Sequence, residues 1–206
     1  SRIQYHYQKN QGAWKAHNRG IEISNGTYIS IINSDDEYYG ERLELLLDVA
    51  KKDNFSFIIT DIELIDQHSN IISNPDHWWI KWYKYLKSVY LQSDSPEKAL
   101  LAGNFSISTS NFFFHSRIIR SIGLFRPFKY IIDYDFAFRA AKHEPGMFKF
   151  LYDKKLLSYR LHGDNTILKN PLSSNLETFS FLIEAIKDIY GKDIYITIII
   201  RISKYS

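Results

Sequence analysis

The chain has 206 residues, of which 45% are hydrophobic and 16% aromatic, and this is enough to build the core of one domain. Its 26 basic and 23 acidic residues are interspersed and give a net charge of +3, so no basic tract predicts a nucleic-acid partner. The absence of cysteine excludes disulfides and thiolate metal sites and fits a reducing compartment. No apolar run in the sequence is long enough to cross a bilayer.

The first third of the chain predicts alternating strands and helices. Residues 3–7 alternate as a short strand does, and residues 13–24 have a helical pattern that a glycine turn ends. Residues 27–32 form an apolar strand, and residues 41–51 form an amphipathic helix. Residues 55–60 are a further strand, which continues into alternating residues typical of a sheet edge. This order predicts βαβ units and an α/β fold with a largely parallel sheet.

A densely aromatic segment, residues 76–91, follows that strand. Aromatic faces pack well against amphipathic ligands, so the segment is a candidate acceptor groove, and packing beneath a long insertion explains it equally well. Residues 111–114 are strand-like, and Ser116 is a predicted N-cap for a short helix over residues 117–122. Near the end of the chain, residues 173–190 predict an amphipathic helix.

Two carboxylates, Asp35 and Asp36, stand where the apolar strand of residues 27–32 leaves the core. In α/β sheets ligands collect beyond the carboxyl ends of the strands. A hard cation such as Mg²⁺ often takes only one or two protein carboxylates, because substrate phosphates supply the other ligands. The pattern therefore favours a site for a cation and a phosphate. An ordinary polar turn is the alternative, since Asn, Ser and Asp all favour turns.

Two further polar motifs occur later in the chain. Asp133 and Asp135 begin a helical pattern, where carboxylates are favoured by the helix dipole and where a general base is also feasible. His162 follows a strand-like segment, residues 155–159, and precedes a glycine in a loop. A single histidine is more often a hydrogen-bonded structural residue than a ligand, so both interpretations stay open for each motif.

In chain order, these motifs resemble family 2 glycosyltransferases of the GT-A fold. The resemblance rests on residues 10–46, 61–66, 109–141 and 159–167. It implies an α/β fold that is GT-A-like and hence Rossmann-like, with a mixed, mainly parallel sheet flanked by helices. The family's opening strand and first helix have no counterpart here, so the resemblance implies a sheet that is incomplete at the N-terminal side. We expect a partial GT-A domain over residues 1–170, followed by a helix and an apolar tail over residues 171–206.

The resemblance also implies roles for the polar motifs. Asn33 and Asp35 stand at the first and last positions of the family's Asp-x-Asp motif, so Asp35 is expected to bind Mg²⁺ or Mn²⁺ beside the donor diphosphate. Asp36 is its expected helper at the donor. Asp133 stands where the family has the general base that deprotonates the acceptor hydroxyl. His162 stands at a loop histidine that is similar to a metal or diphosphate contact in relatives.

Other donor-site expectations follow from the same resemblance. Asn33 keeps a hydrogen bond to the ribose but adds no negative charge, so weaker metal binding is expected. His17 stands where the family often has arginine and is expected to be mostly neutral at pH 7. With Asn18 it is assigned to the donor site, and Arg160 and Asn165 are assigned as supporting polar groups.

These assignments predict a glycosyltransferase that transfers a sugar from a nucleotide-sugar, by default a UDP-sugar, to a glycan or lipid-linked acceptor with inversion. Such an acceptor places the enzyme in the cytoplasm at the inner face of a membrane, with peripheral association. Two alternatives stay open. One is an inactive fragment or interaction module derived from such an enzyme, and the other is a Mg²⁺-dependent phosphohydrolase with a similar acidic strand end. The apolar residues 195–202 either pack on the domain, contact a membrane or mark a truncated extension.

Overall fold

The computed structural model describes residues 3–163 and 169–191. Short 3₁₀ turns lie at Leu100–Ala102, Thr109–Asn111 and Pro145–Met147. Among the described residues, no helix is long and apolar enough to cross a membrane. The helices and strands, in chain order, are α1 (Ala13–Ile23), β1 (Tyr28–Ser30), β2 (Glu37–Tyr38), α2 (Arg42–Asp53), β3 (Phe57–Ile65), α3 (Trp78–Gln92), α4 (Pro96–Ala99), β4 (Phe113–His115), α5 (Ile118–Ile122), α6 (Ile132–His143), β5 (Phe148–Arg160) and α7 (Pro171–Tyr190).

The strands form one mixed sheet in the order β1-β4-β3-β5-β2. β1, β3 and β5 run in one direction, because β1 and β3 are both antiparallel to β4 and β3 is parallel to β5. β2 and β4 run in the opposite direction. The longest pairing is the parallel one, which joins β3 to β5 along the whole length of β3. This confirms the predicted α/β fold with a mixed, mainly parallel sheet flanked by helices.

β3 is the middle strand of the sheet, but only its first half has a strand on each side, because β4 pairs with Phe57 and Ile58 alone. Its second half pairs with β5 on one side, as expected at a sheet edge, and meets only an isolated bridge at Ile71 on the other. Its alternating residues suggested one solvated face, but nearly all of β3 is buried. The polar members of the alternation are neutralised by partners: Asp61 binds Lys87 at 2.6 Å, and Glu63 binds Lys155 at 2.8 Å. A charged residue in a buried strand is tolerated when it is paired in this way.

The main core lies on one face of the sheet and is built around phenylalanine rings. Phe57 of β3 stacks against Phe148 of β5 at 5.1 Å between centroids, and Phe136 of α6 stacks on Phe125 at 4.1 Å. Such offset pairs add to the stabilisation from burying the rings. α2 covers the other face with Leu46 and Ala50 in a smaller cluster. The two clusters together fix the sheet between layers of helix.

The predicted C-terminal helix is present as α7 and packs on the same core. Phe181 is buried against Tyr134 and Phe138 of α6, with ring centroids 4.8 and 5.4 Å apart. Ala185, one turn further along, is also buried. The strand-like residues 195–202 lie outside the described residues.

Two other local expectations change in the structure. Residues 3–7 are not a strand: no strand among the described residues pairs with them, and their alternating apolar side chains are exposed. The aromatic segment forms α3, which buries some of its rings and exposes others. Trp79 and Tyr83 are buried in the core, whereas Trp78, Trp82 and Tyr85 are exposed.

Candidate functional site

A cavity of about 300 Å³ lies where the loop after β1, the end of β5 and the starts of α1 and α6 converge. β2 explains the convergence. Because β2 pairs with β5, the loop between β1 and β2 crosses the sheet to reach the end of β5. The side chains at the strand ends therefore face one space. The cavity is lined by Ala13, His17, Asn33, Asp35, Asp36, Ile107, Ser108, Thr109, Lys129, Tyr130, Ile132, Asp133, Tyr159 and His162.

Asp35 and His162 form a close polar pair at the mouth of the cavity. The Asp35 Oδ2 atom lies 3.2 Å from the His162 Nε2 atom, although the residues are 127 positions apart in the chain. The Asp35 side chain is 40% exposed and that of His162 is 21% exposed, so a ligand in the cavity can reach both. One carboxylate oxygen and one imidazole nitrogen are thus placed side by side.

Asp36 points inward and serves a different role from Asp35. Its Oδ1 atom accepts a hydrogen bond from the backbone N–H of Arg160 at 3.1 Å, and its Oδ2 atom accepts one from the Ser108 hydroxyl at 3.4 Å. Burial raises the pKa of this carboxyl, and hydrogen bonds to it partly offset that effect. Asp36 therefore ties the β1–β2 loop to the end of β5.

The Asn33 amide is held by hydroxyl groups from one segment of the chain. Its Nδ2 atom donates to the Ser108 hydroxyl at 3.0 Å, and its Oδ1 atom accepts from the Thr109 hydroxyl at 3.1 Å. The Asn33 backbone N–H donates to the Ser110 hydroxyl at 2.9 Å. Three consecutive hydroxyl residues thus fix the start of the acidic motif.

Asp133 lies in the first turn of α6, where it is half-buried and lines the cavity. Its Oδ2 atom accepts a hydrogen bond from the Asn104 amide at 3.1 Å, and its Oδ1 atom accepts one from the Tyr134 N–H at 2.8 Å. Burial raises the pKa of Asp133 from 3.8 to about 6, against the opposing effect of these hydrogen bonds. Such a carboxyl is ionised at pH 7 and is a stronger base than an exposed aspartate.

The remaining donor-site residues divide into two groups. His17 lines the cavity, and burial lowers its pKa, which agrees in direction with its expected neutral state. Asn18 does not line the cavity, because its amide donates to the Phe125 carbonyl and accepts from the Phe125 N–H, both at 2.9 Å. The side chain of Arg160 also points elsewhere: its Nε donates to the Asp35 carbonyl at 2.8 Å and its Nη1 to that of Asp66 at 2.7 Å.

The two aspartates at the start of α6, Asp133 and Asp135, have different surroundings. Asp135 is fully buried and forms ion pairs with Arg139 at 2.8 Å and with Arg126 at 2.7 Å. It does not line the cavity, and its ion pairs stabilise the start of α6. Asn165, the other expected polar group, lies outside the described residues.

Sequence reasoning missed several residues of the site. Asn104, which holds Asp133, gives no local pattern of its own, since the two residues are 29 positions apart. The hydroxyl residues Ser108, Thr109 and Ser110 act on a motif more than 70 positions away. Their only local signal is a run of small polar residues before the apolar strand β4, and this run equally suits a turn.

The residues present are compatible with a divalent cation held jointly with a phosphate ligand. Asp35 and His162 offer two donors of the types that bind Mn²⁺, whereas Mg²⁺ prefers oxygen alone. Among the described residues, no group of three or more His, Cys, Asp or Glu side chains is placed to hold a metal. A cation at this pair would therefore take its other ligands from the substrate or from water.

Comparison with protein families gives a match over residues 1–114 to the model described as Glycosyl transferase family 2. This match covers more than half of the 206 residues. It includes the acidic motif at residues 33–36 and the segment that supplies Asn104 and the hydroxyl residues.

Curated relatives agree with that family. A chondroitin synthase of Escherichia coli is 28% identical over 82% of this chain and 22% of its own length. An uncharacterized glycosyltransferase of Rickettsia typhi is 30% identical over 88% of this chain and 54% of its own length, and one of Rickettsia bellii is 38% identical over 35% of this chain and 11% of its own. The chain thus spans about half or less of the length of each of these three proteins.

The fold also matches a solved structure. The crystal structure of Staphylococcus aureus TarS, residues 1–349, superposes with a TM-score of 0.54, covering 88% of this chain and 47% of that one at 14% identity. At this identity the likeness concerns the fold alone, and it supports the GT-A-like arrangement. Together with the family match over residues 1–114, these findings show that the chain belongs to glycosyltransferase family 2.

Proposed function

We propose that this chain carries the catalytic centre of an inverting glycosyltransferase, which transfers a sugar from a UDP-sugar to a hydroxyl of a glycan or lipid-linked acceptor. The single observation that carries the proposal is the cavity in which Asp133 faces the same space as Asn33, Asp35 and His162. A basic carboxyl and a candidate diphosphate site thus share one cavity, as a transfer reaction requires.

Asp133 is the proposed general base. A base must be ionised at working pH and must hold the proton well enough to remove it from a hydroxyl, and a pKa of about 6 satisfies both conditions at pH 7. The acceptor oxygen then attacks the sugar as its proton moves to Asp133, and the bond to the diphosphate breaks. A single displacement with one base gives inversion at the reacting carbon.

Asp35 and His162 are proposed to hold Mn²⁺ or Mg²⁺ together with the donor diphosphate. When bound, the cation stabilises the negative charge that develops on the leaving phosphate. Asn33 is proposed to bind the ribose, and His17, as a neutral imidazole, to donate or accept a hydrogen bond at the donor. Asp36 keeps the β1–β2 loop in place through Arg160 N–H and Ser108.

A saccharide acceptor is supported by two separate observations. One relative of the chain is named chondroitin synthase, and the helix α3 exposes the aromatic rings of Trp78, Trp82 and Tyr85. Aromatic faces pack against the apolar faces of sugars. Action on a lipid-linked glycan would place the protein in the cytoplasm at the inner face of a membrane.

Isothermal titration calorimetry with UDP, with and without about 1 mM Mn²⁺, tests whether the chain binds the donor as proposed. We expect saturable UDP binding that strengthens at least tenfold with Mn²⁺. A panel of UDP-sugars is then assayed for release of UDP with and without added oligosaccharides. Absence of UDP binding under both conditions would identify the chain as an inactive fragment or interaction module instead.

A further inference from the structure

One loop, residues 103–111, contacts both sides of the cavity. It connects the end of α4 and its following 3₁₀ turn to β4. Its beginning holds Asp133 through Asn104, and its end holds Asn33 and Asp36 through hydroxyl groups. We call it the bridging loop.

The beginning of the bridging loop is built to present an amide N–H₂ group to Asp133. The Asn104 Oδ1 atom accepts hydrogen bonds from the Ser106 N–H, at 3.1 Å, and from the Ser106 hydroxyl. Since both donors occupy the oxygen, the amide cannot turn round without losing them. The Nδ2 atom is thereby left to donate to Asp133 Oδ2 at 3.1 Å.

The end of the bridging loop is anchored in the sheet by Asn111. Its fully buried amide donates to the Thr60 carbonyl at 2.8 Å and accepts from the Thr60 N–H at 2.9 Å, which imitates a neighbouring strand. Arg42, which is also fully buried, donates to the Asn111 carbonyl and side chain at 2.9 and 3.2 Å. A buried guanidinium is costly unless it is hydrogen-bonded, so its use here marks a rigid anchor.

Between these two ends the backbone is strained. Ile107, which lines the cavity, has a φ of +70°. The left-handed region is unfavourable for a β-branched residue, and such a conformation persists only where the surrounding bonds over-determine it. The bonds of Asn104 on one side and of Ser108 to Asn111 on the other supply that constraint.

We propose that the bridging loop is a positioning element, which fixes the base Asp133 relative to the donor site, and that Asn104 is the positioning residue for Asp133. This inference rests on the function proposed above. It accounts for Arg42, Ile107 and Asn111, which have no part in the chemistry.

The hydrogen bond from Asn104 favours the ionised form of Asp133 and restricts its rotation. It lowers the pKa of Asp133, against the larger opposing effect of burial. Its loss should raise that pKa and allow the carboxylate to turn away from the acceptor. In the described part of the chain, the other titratable groups on the cavity or beside Asp133 are His17, Asp35, Asp36, Lys129, Tyr130, Tyr134, Tyr159 and His162.

Asn104→Ala tests the positioning role, and Asn70→Ala is its matched control. Asn70 also donates an amide N–H to a carboxylate, Asp66 Oδ2, at 3.1 Å, but it lies in an exposed turn and does not line the cavity. For Asn104→Ala we expect kcat to fall about tenfold, and the acidic limb of its pH profile to move upward by about one pH unit, with the Kd for UDP unchanged. For Asn70→Ala we expect none of these changes.

Ser110→Ala tests the other end of the loop. It removes the hydroxyl that accepts from the Asn33 N–H, so the KM for donor should rise several-fold while the acidic limb stays in place. An unmoved limb in Asn104→Ala, or an equal shift in Ser110→Ala, would overturn the inference.

A direct titration separates this inference from the proposed function. Carboxyl-carbon NMR follows the pKa of Asp133 in the wild type and in Asn104→Ala without any substrate. If the pKa rises in the variant but no UDP-sugar is turned over, the proposed function fails and the contact stands. If the pKa does not change, the positioning role fails whatever the activity.

Discussion

Replacing Asp133 with asparagine distinguishes a catalytic base from a helix-capping residue. The substitution keeps the size of the side chain but removes its charge, so the acceptor hydroxyl loses its proton acceptor. We expect kcat to fall by ~10²- to 10⁴-fold, the usual contribution of a positioned general base. The Kd for UDP should not change, because the proposed diphosphate ligands are other residues.

The same substitution has a predictable effect on stability. Burial raises the pKa of Asp133 from 3.8 to about 6, so the folded protein holds a proton there more tightly than the unfolded chain does. The resulting stabilisation is present in full below about pH 4 and is lost as the pH rises through about 6. The difference between the two pKa values lowers the free energy of unfolding at pH 7 by ~3 kcal/mol, compared with its value at low pH where Asp133 is protonated in both states.

Asparagine does not ionise, so it avoids this loss. It has one acceptor oxygen for two donors, Asn104 Nδ2 and Tyr134 N–H, and the bond that is lost should cost ~1 kcal/mol at any pH. We therefore expect Asp133→Asn to be ~2 kcal/mol more stable than the wild type at pH 7 and slightly less stable at pH 4. The variant should thus lose activity while it gains stability at neutral pH.

Urea denaturation of both proteins at pH 4, 5, 6 and 7 measures this difference. The free energies of unfolding should cross between pH 4 and pH 7, and the wild type should lose ~3 kcal/mol relative to the variant over that range. A difference that is constant with pH would refute the reasoning about burial. Equal losses of UDP binding and of transfer would show that Asp133 is a structural cap.

Three further substitutions test other parts of the molecule. Asp35→Ala should abolish the Mn²⁺-dependent part of UDP binding in calorimetry. The control Asp48→Ala removes an exposed carboxylate of α2 and should preserve that binding, so equal effects of the two substitutions would exclude Asp35 as the metal ligand. Arg42→Met removes the donor to the buried Asn111 carbonyl and to the Thr60 hydroxyl of β3. It should lower the free energy of unfolding by ~3 kcal/mol, or the Tm by about 10 °C, in calorimetric scans. Asp135→Asn breaks two ion pairs and should lower the free energy of unfolding by ~3 kcal/mol in urea denaturation, while the Kd for UDP stays unchanged. An unchanged free energy of unfolding would show that these ion pairs do not stabilise α6.

Much of the fold could be predicted from local patterns. The helix at residues 13–24 and the one at residues 173–190 are present within a few residues of the predicted bounds. The face that α7 buries was not predicted: Leu176 and Phe179 are exposed, whereas Phe181 and Ala185 are buried. The prediction of a strand over residues 3–7 was wrong, because alternating apolar residues do not reveal whether a neighbouring strand is present to pair with them. The burial of Arg42 could not be predicted from its position. A charged residue at the start of an amphipathic helix normally faces solvent, yet here it is fully buried, and Thr60 and Asn111 accept its hydrogen bonds.

The candidate site was predictable to the extent that its residues end strands or begin helices. Asp35 and Asp133 do so, and the resemblance to a family paired them with His162. Asn104 and Ser108 could not be found, because their importance depends on contacts across the cavity rather than on a local period. Hydrogen bonds between residues far apart in sequence leave no mark in composition or spacing.

The substitution Asn33→Asp would disturb the hydrogen bonds that hold the acidic motif. The Ser108 hydroxyl has a single hydrogen, which it donates to Asp36 Oδ2, so its oxygen is available to accept from Asn33 Nδ2. An aspartate at position 33 has no hydrogen to offer and would compete with Asp36 for that of Ser108. Like charges at neighbouring positions would also raise the pKa of Asp36 further. Asn33 therefore fits this position because it can donate to the Ser108 hydroxyl. Any gain in cation affinity from Asn33→Asp would be accompanied by weaker hydrogen bonding between the β1–β2 loop and the bridging loop.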